Sequence, residues 1–182
     1  MGPVRVVAVS NSAWLRGRGL GKAIDSHDVV IRFNGARTSR VEHDLGSRTT
    51  ILATSPPIFE SELTPARWLL YVPNHLVAPP EAARLERIPG DVEKELAKLM
   101  ELRPNQFPTT GLAAVWFLLR EYRQITLAGW HKGDFANPSS LKTWWDYYHP
   151  WDIKKQTTHH DRHAEGEFVS SLIEQGRLSH LA

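Results

Sequence analysis

The sequence predicts an α/β fold, a mostly parallel sheet with helices on both faces, and three observations carry that expectation. Short strand-like runs recur along the 182 residues. Each run is apolar and bounded by turn residues, as a buried strand is. Helical patterns stand between the later runs, and strands alternating with helices build parallel sheets. The length suffices for one domain with a substantial core and is short for two, so residues 1–182 are read as a single domain.

In chain order, the strand patterns are Val4–Val9, Val29–Phe33, Thr49–Ala53, Trp68–Val72 and Ile125–Ala128. The first runs into the small polar turn Ser10-Asn11-Ser12, and the second stops at Asn34. Helical periodicity covers Asp91–Leu102, Thr110–Tyr122 and Ala164–Gln175, the first opening on an acid that suits the positive end of a helix. The proline-rich pieces around Pro56–Pro57, Pro79–Pro80 and Pro89 read as surface loops. So does Gly133–Pro150, whose dense aromatic set suits a lid or pocket wall.

Composition narrows the function classes. Seven tryptophans and 41% hydrophobic residues argue for a folded chain. A net charge of +2 with interspersed signs gives no polyanion footprint, so no nucleic-acid partner is expected. Without cysteine there is neither a disulfide nor a thiolate metal site, which suits a reducing cytoplasm. No window is apolar for the roughly 18 residues a membrane span needs, and the N-terminus enters a strand with no signal-peptide pattern. A cytoplasmic protein, including one held peripherally at a membrane, is the expectation.

In an open parallel sheet, ligands bind beyond the carboxyl ends of the strands. Ser10, Asn11, Ser12 and Asn34 all fall there, so the two asparagine amides could converge on one crevice; each alone is equally an ordinary turn residue. In "PTTGLAAVWFLLREY", Thr109 or Thr110 can cap a helix, and Gly111 admits a ligand close to its first turn. "RGRGLG" does not fit a dinucleotide fingerprint, because its spacing is G-x-G-x-G and it lies too far past the strand. "TTHHDRHAEGEF" holds enough imidazole and carboxylate for a metal, but its spacing matches no zinc signature. A single histidine acting as general base before a helix is the more economical reading.

These pieces together resemble the eukaryotic-type sialyltransferase family, glycosyltransferase family 29, in a minimal, bacterial-type form without cysteines. "VVAVSNSAWLRGRGLGKAIDSHDVVIRFNGARTSRVEHDLGSRTT" resembles the family's large motif, and "FPTTGLAAVWFLLREYRQITLAGW" its small motif. "HDRHAEGEFVSSL" resembles the very small motif H-x-x-x-x-E, with His160 and Glu165 in its two fixed places. The resemblance implies a Rossmann-like domain of the GT-A-like sialyltransferase variant. It implies that Ser10, Asn11, Ser12 and Asn34 hold the cytidine monophosphate (CMP) part of an activated sugar. Thr109, Thr110, Gly111, Trp130 and His131 would complete the donor site, and His160 would be the catalytic base.

The sequence departs from the family pattern in several places. Val6 and Tyr122 occupy about the positions of two paired family cysteines. Thr143 replaces the phosphate-facing histidine of the third motif, for which His149 or His131 could compensate, and Phe107 stands where a phosphate-reaching tyrosine is common. Thr143 and His149 are therefore the expected phosphate contacts. The implied activity is inverting transfer of sialic acid from CMP-sialic acid to a glycan or glycolipid hydroxyl, with no metal. Transfer of another CMP-linked ulosonic acid such as Kdo, or a CMP-binding module with little turnover, are the alternatives.

Overall fold

The computed structural model describes residues 2–56, 63–78, 84–130 and 159–181. Its centre is β1 (Val6–Val9), four consecutive apolar residues buried on both faces. β1 pairs in parallel with β2 (Val29–Phe33) on one side and β6 (Ile125–Ala128) on the other. Outward from β2 lie β3 (Ile51–Thr54), β4 (Arg67–Leu70) and the two-residue β5 (Glu86–Arg87); outward from β6 lies β7 (Leu178–His180). All the pairings of this seven-stranded sheet are parallel, in the order β5-β4-β3-β2-β1-β6-β7. The order reverses between β1 and β6, the switch point outside whose carboxyl ends open sheets of this kind bind ligands.

Because side chains alternate across a strand, β1 feeds two cores. Val6 and Ala8 join the larger one, with Ile31, Phe33 and Leu69. It is covered by α3 (Gly90–Leu99), α4 (Thr110–Leu118) and α5 (Arg162–Glu174), through Val92, Leu96, Leu112, Val115 and Val169 among others. Val7 and Val9 face the other way, under Leu15, Ile24 and Leu45. These belong to a short 3₁₀ turn (Ala13–Leu15), α1 (Gly21–Asp25) and α2 (Glu42–Leu45). Helices thus cover both faces, as the alternating pattern implies. Val6 and Tyr122, the residues at the family's cysteine positions, both pack in the larger cluster.

Element ends differ from the sequence expectation for local reasons. The periodicity of α3 runs to Leu102, but Glu101 takes φ 52° and the Leu102 N–H bonds the Ala97 carbonyl at 2.9 Å, which closes the helix at Leu99. α5 ends in the same way through Gly176, at φ 69°, with Arg177 N–H on Leu172 O at 2.9 Å. α4 stops at Leu118 rather than Tyr122, its last turn tightening into i→i+3 bonds from Arg120 and Glu121. β5 and β7 carry almost no apolar signal and are visible only through their pairing. Among the described residues, no helix is long and apolar enough to cross a membrane.

Candidate active site

Polar groups line the carboxyl edge of the sheet across the switch point. Leaving β1, Ser10 donates its N–H to Ala128 O at 2.9 Å and its hydroxyl to Gly129 O at 2.8 Å, tying β1 to the end of β6. The Asn11 amide donates to Phe33 O at 3.1 Å, which ties β1 to the end of β2. Asn34 follows at φ 51°, a left-handed conformation that asparagine tolerates better than most residues. Its Oδ1 accepts the Ser55 N–H at 3.2 Å, which links β2 to the end of β3. Each asparagine spends one half of its amide on this scaffold. Asn11 Oδ1 and Asn34 Nδ2 have no protein partner among the described residues, so an acceptor and a donor are left for a ligand.

The start of α4 lies on the same edge. Thr109 is extended and caps the helix, its hydroxyl oxygen accepting the Leu112 N–H at 3.3 Å. Thr110 donates to the Ser55 hydroxyl at 2.9 Å, which joins the helix start to the end of β3. A Cβ on Gly111 would sit 3.0 Å from the Trp130 ring, so glycine here lets that ring close onto the first turn. Trp130 also meets Phe33 edge-on, at 5.7 Å between centroids. Although Trp130 is only 9% exposed, its Nε1–H has no partner; among the described residues it is the one buried side-chain polar atom left so. A buried donor without an acceptor is costly unless a ligand supplies one.

His160, just before the third covering helix, and Glu165, in its first turn, reach this helix start. Nδ1 of His160 lies 2.8 Å from Phe107 O; a carbonyl only accepts, so Nδ1 carries the proton and Nε2 keeps its lone pair. The ring meets Phe107 edge-on at 4.8 Å, and the Phe107 N–H bonds His159 O at 2.9 Å. Five residues on, Glu165 is 2% exposed and clamps the α4 cap, accepting the Thr109 N–H at 2.6 Å and the Thr109 hydroxyl at 3.1 Å. The spacing of H-x-x-x-x-E thereby acquires a physical meaning: one end holds an imidazole beside Phe107 and the other fixes the helix start. Burial raises the Glu165 carboxyl above its ordinary range, against the lowering influence of Arg162 and of the Thr109 bonds.

Burial pushes the His160 imidazole down to about 4, partly offset by its bond to Phe107 O, so the ring is neutral at pH 7. In the unfolded chain it would protonate near 6.5, so protonation favours unfolding. The stability held by the neutral ring is whole above about pH 6.5 and is lost as pH falls through about 4, by at most about 3 kcal/mol. Urea unfolding at pH 7.5 and pH 4.5 checks this: the parent chain should lose more stability than His160→Gln. Equal losses would show that the ring titrates normally. Glu165 works in the opposite direction in both proteins, so their difference isolates the histidine.

Residues 4–75 match the model of "Glycosyltransferase family 29 (sialyltransferase)". Human beta-galactoside alpha-2,6-sialyltransferase 1 is 40% identical over 58 residues, 32% of this chain and 14% of that protein. The pig CMP-N-acetylneuraminate-beta-galactosamide-alpha-2,3-sialyltransferase 1 is 27% identical over 168 residues, 75% of this chain and 49% of that protein. The chain is thus similar in sequence to mammalian sialyltransferases over part of its length. It spans about half the length, or less, of these two relatives. The crystal structure of a mammalian sialyltransferase in complex with Gal-beta-1-3GalNAc-ortho-nitrophenol superposes with a TM-score of 0.74 at 21% identity, over 98% of this chain and 69% of that one. The two share the fold.

Bonds and ring contacts connect Ser10, Asn11, Asn34, Thr109, Thr110, Gly111 and Trp130 along the sheet edge, and Glu165 ties His160 to them. Ser12 supports the first turn, its N–H bonding Ser10 Oγ at 3.2 Å. His131, Thr143 and His149 lie outside the described residues, as does the expected loop at Gly133–Pro150. The members of the histidine-acid cluster face different partners: His159 stacks on Phe107, His163 pairs with Glu167 and Glu165 holds Thr109. Among the described residues no group of His, Asp and Glu is gathered to hold a metal ion.

Sequence reasoning missed several contributors to the site. Ser55 bridges two strand ends, and its signal was its place just past a strand. Glu93, in the first turn of α3, accepts the Tyr71 phenol at 2.9 Å; burial first, then that carboxylate, holds the phenol above its ordinary range. No sequence pattern announces that pair.

Proposed function

We propose that this chain is a CMP-sugar-dependent, inverting glycosyltransferase that moves sialic acid from CMP-sialic acid to a glycan or glycolipid hydroxyl. The carrying observation is the neutral His160 ring, fixed at Nδ1 by Phe107 O and joined through Glu165 to the Thr109–Gly111 helix start. Nε2 of His160 takes the acceptor proton as the hydroxyl oxygen bonds the anomeric carbon. The bond from that carbon to the phosphate oxygen breaks, and the electron pair leaves on the phosphate. N–H groups at the start of α4 and the Trp130 indole, which has no partner among the described residues, meet that charge. Asn11 Oδ1 and Asn34 Nδ2 bind the cytidine part.

The relatives' names support the donor assignment, since the pig protein is named for CMP-N-acetylneuraminate. A monophosphate leaving group carries less charge than a diphosphate, and the sequence has no D-x-D triplet. Turnover should therefore persist in excess EDTA. The absence of cysteine supports a cytoplasmic setting, including the inner surface of a membrane. Phe107 and Thr143, which remove two phosphate-facing groups of the family pattern, favour a second reading as a CMP-binding module with little turnover.

A donor panel separates these readings. CMP release from CMP-sialic acid that rises when a galactoside acceptor is added supports sialyl transfer; release from CMP-Kdo alone supports the other sugar. Tight CMP binding with no release from either donor supports the module.

A further inference from the structure

Besides His160 at its edge and His159 stacked on it, Phe107 meets a third imidazole. Beyond β4 the chain passes through Tyr71 and Val72 into a turn in which the Leu76 N–H bonds Pro73 O at 2.8 Å. The Asn74 N–H in that turn donates to both oxygens of Glu93, at 3.2 and 3.0 Å, and the same carboxylate takes the Tyr71 phenol. Glu93 is only 9% exposed and sits in the first turn of α3, where a carboxylate is favoured by the helix dipole. The turn is therefore anchored. It presents His75, which is exposed, with its ring centroid 4.6 Å from that of Phe107.

Phe107 leads directly into Pro108-Thr109-Thr110-Gly111, the approach to the nine-residue α4. At that helix start the N–H groups suit an anion, and the buried Trp130 Nε1–H against Gly111 independently calls for an acceptor. His160 already occupies the edge of Phe107. His160 and His75, two of the three imidazoles on this ring, stand next to a helix start that suits an anion and provide one group for each end of a displacement.

We propose that His75 is a phosphate-binding residue of the nucleotide site, its ring N–H donating to a non-bridging oxygen of the CMP group. This rests on reading the site as one for a CMP conjugate. His160 takes the acceptor proton, the phosphate oxygen leaves with the bonding pair, and His75 keeps its own proton while it hydrogen-bonds the departing charge. Glu93 is the positioning residue that holds the turn.

The test compares CMP with cytidine, which lacks the phosphate, by calorimetric titration of the parent chain, His75→Ala and His75→Gln. His75→Ala should weaken CMP about tenfold and leave cytidine within about twofold, which shrinks the preference for the phosphate. His75→Gln, which keeps a donor, should recover part of that loss. Unchanged CMP affinity, or equal losses for CMP and cytidine, would mean that His75 only packs on Phe107, and the inference fails while the nucleotide reading stands. A parent chain that binds neither compound overturns both.

Discussion

His160→Ala should lower CMP release from the activated sugar by about 10²–10⁴-fold, the range a positioned general base contributes, while CMP affinity stays within about threefold. The two readouts should separate because the ring is held by Phe107 O on one nitrogen, and in the proposed reaction the other takes the acceptor proton and makes no contact with the nucleotide. The ring's low proton affinity, about 4, comes from burial. A bound phosphate or donor carboxylate nearby would favour the protonated form and raise it toward the working range. His160→Gln, which can still bond Phe107 O, should be as slow as His160→Ala. If turnover and CMP binding fall together in both variants, the ring is structural and the base lies elsewhere.

The second large effect is on stability, at the crevice floor. Gly129 has φ 78°, and a Cβ there would stand 2.5 Å from Ser10 Oγ and 2.8 Å from Leu15 Cδ1. Gly129→Ala therefore combines a left-handed penalty of about 1 kcal/mol or more with overpacking of about 1–3 kcal/mol. A loss of roughly 2–5 kcal/mol in urea unfolding is expected, together with weaker CMP binding, because Ser10 must give way and its bond to Gly129 O goes with it. Gly176→Ala is the control: its φ is 69°, but a Cβ there meets nothing within 4 Å, so only the backbone penalty of about 1 kcal/mol applies. Equal losses at the two positions would mean that contact with Ser10 contributes nothing.

The central strands were legible because each is a contiguous buried run whose signal does not depend on its neighbours. The start of α4 was legible for the same reason, since Pro108, the Thr109 cap and Gly111 are local features. The limits of α3 and α4 were not, because the turn geometry around Glu101 and the tightened turn at Arg120 interrupt a periodicity that continues in the side chains. β5 and β7 exist only through pairing, and a two- or three-residue strand carries no period of its own. Within the site, Asn11 and Asn34 could be read either as turn residues or as ligand groups, and both readings hold at once: half of each amide secures a turn and half stays open. Glu165 on Thr109, Ser55 between two elements, and His75 against Phe107 join residues 21 to 56 positions apart, which sequence order alone does not bring together.

The most direct measurement is a CMP titration followed by amide and indole resonances of the isotopically labelled protein. The Trp130 indole N–H, the side-chain amides of Asn11 and Asn34, and the backbone N–H groups of Thr110 and Gly111 should all shift along one saturation curve, with AMP moving them far less. Shifts confined to other surfaces, or a Trp130 indole signal that stays put while CMP binds, would contradict a single nucleotide site at the carboxyl edge of this sheet.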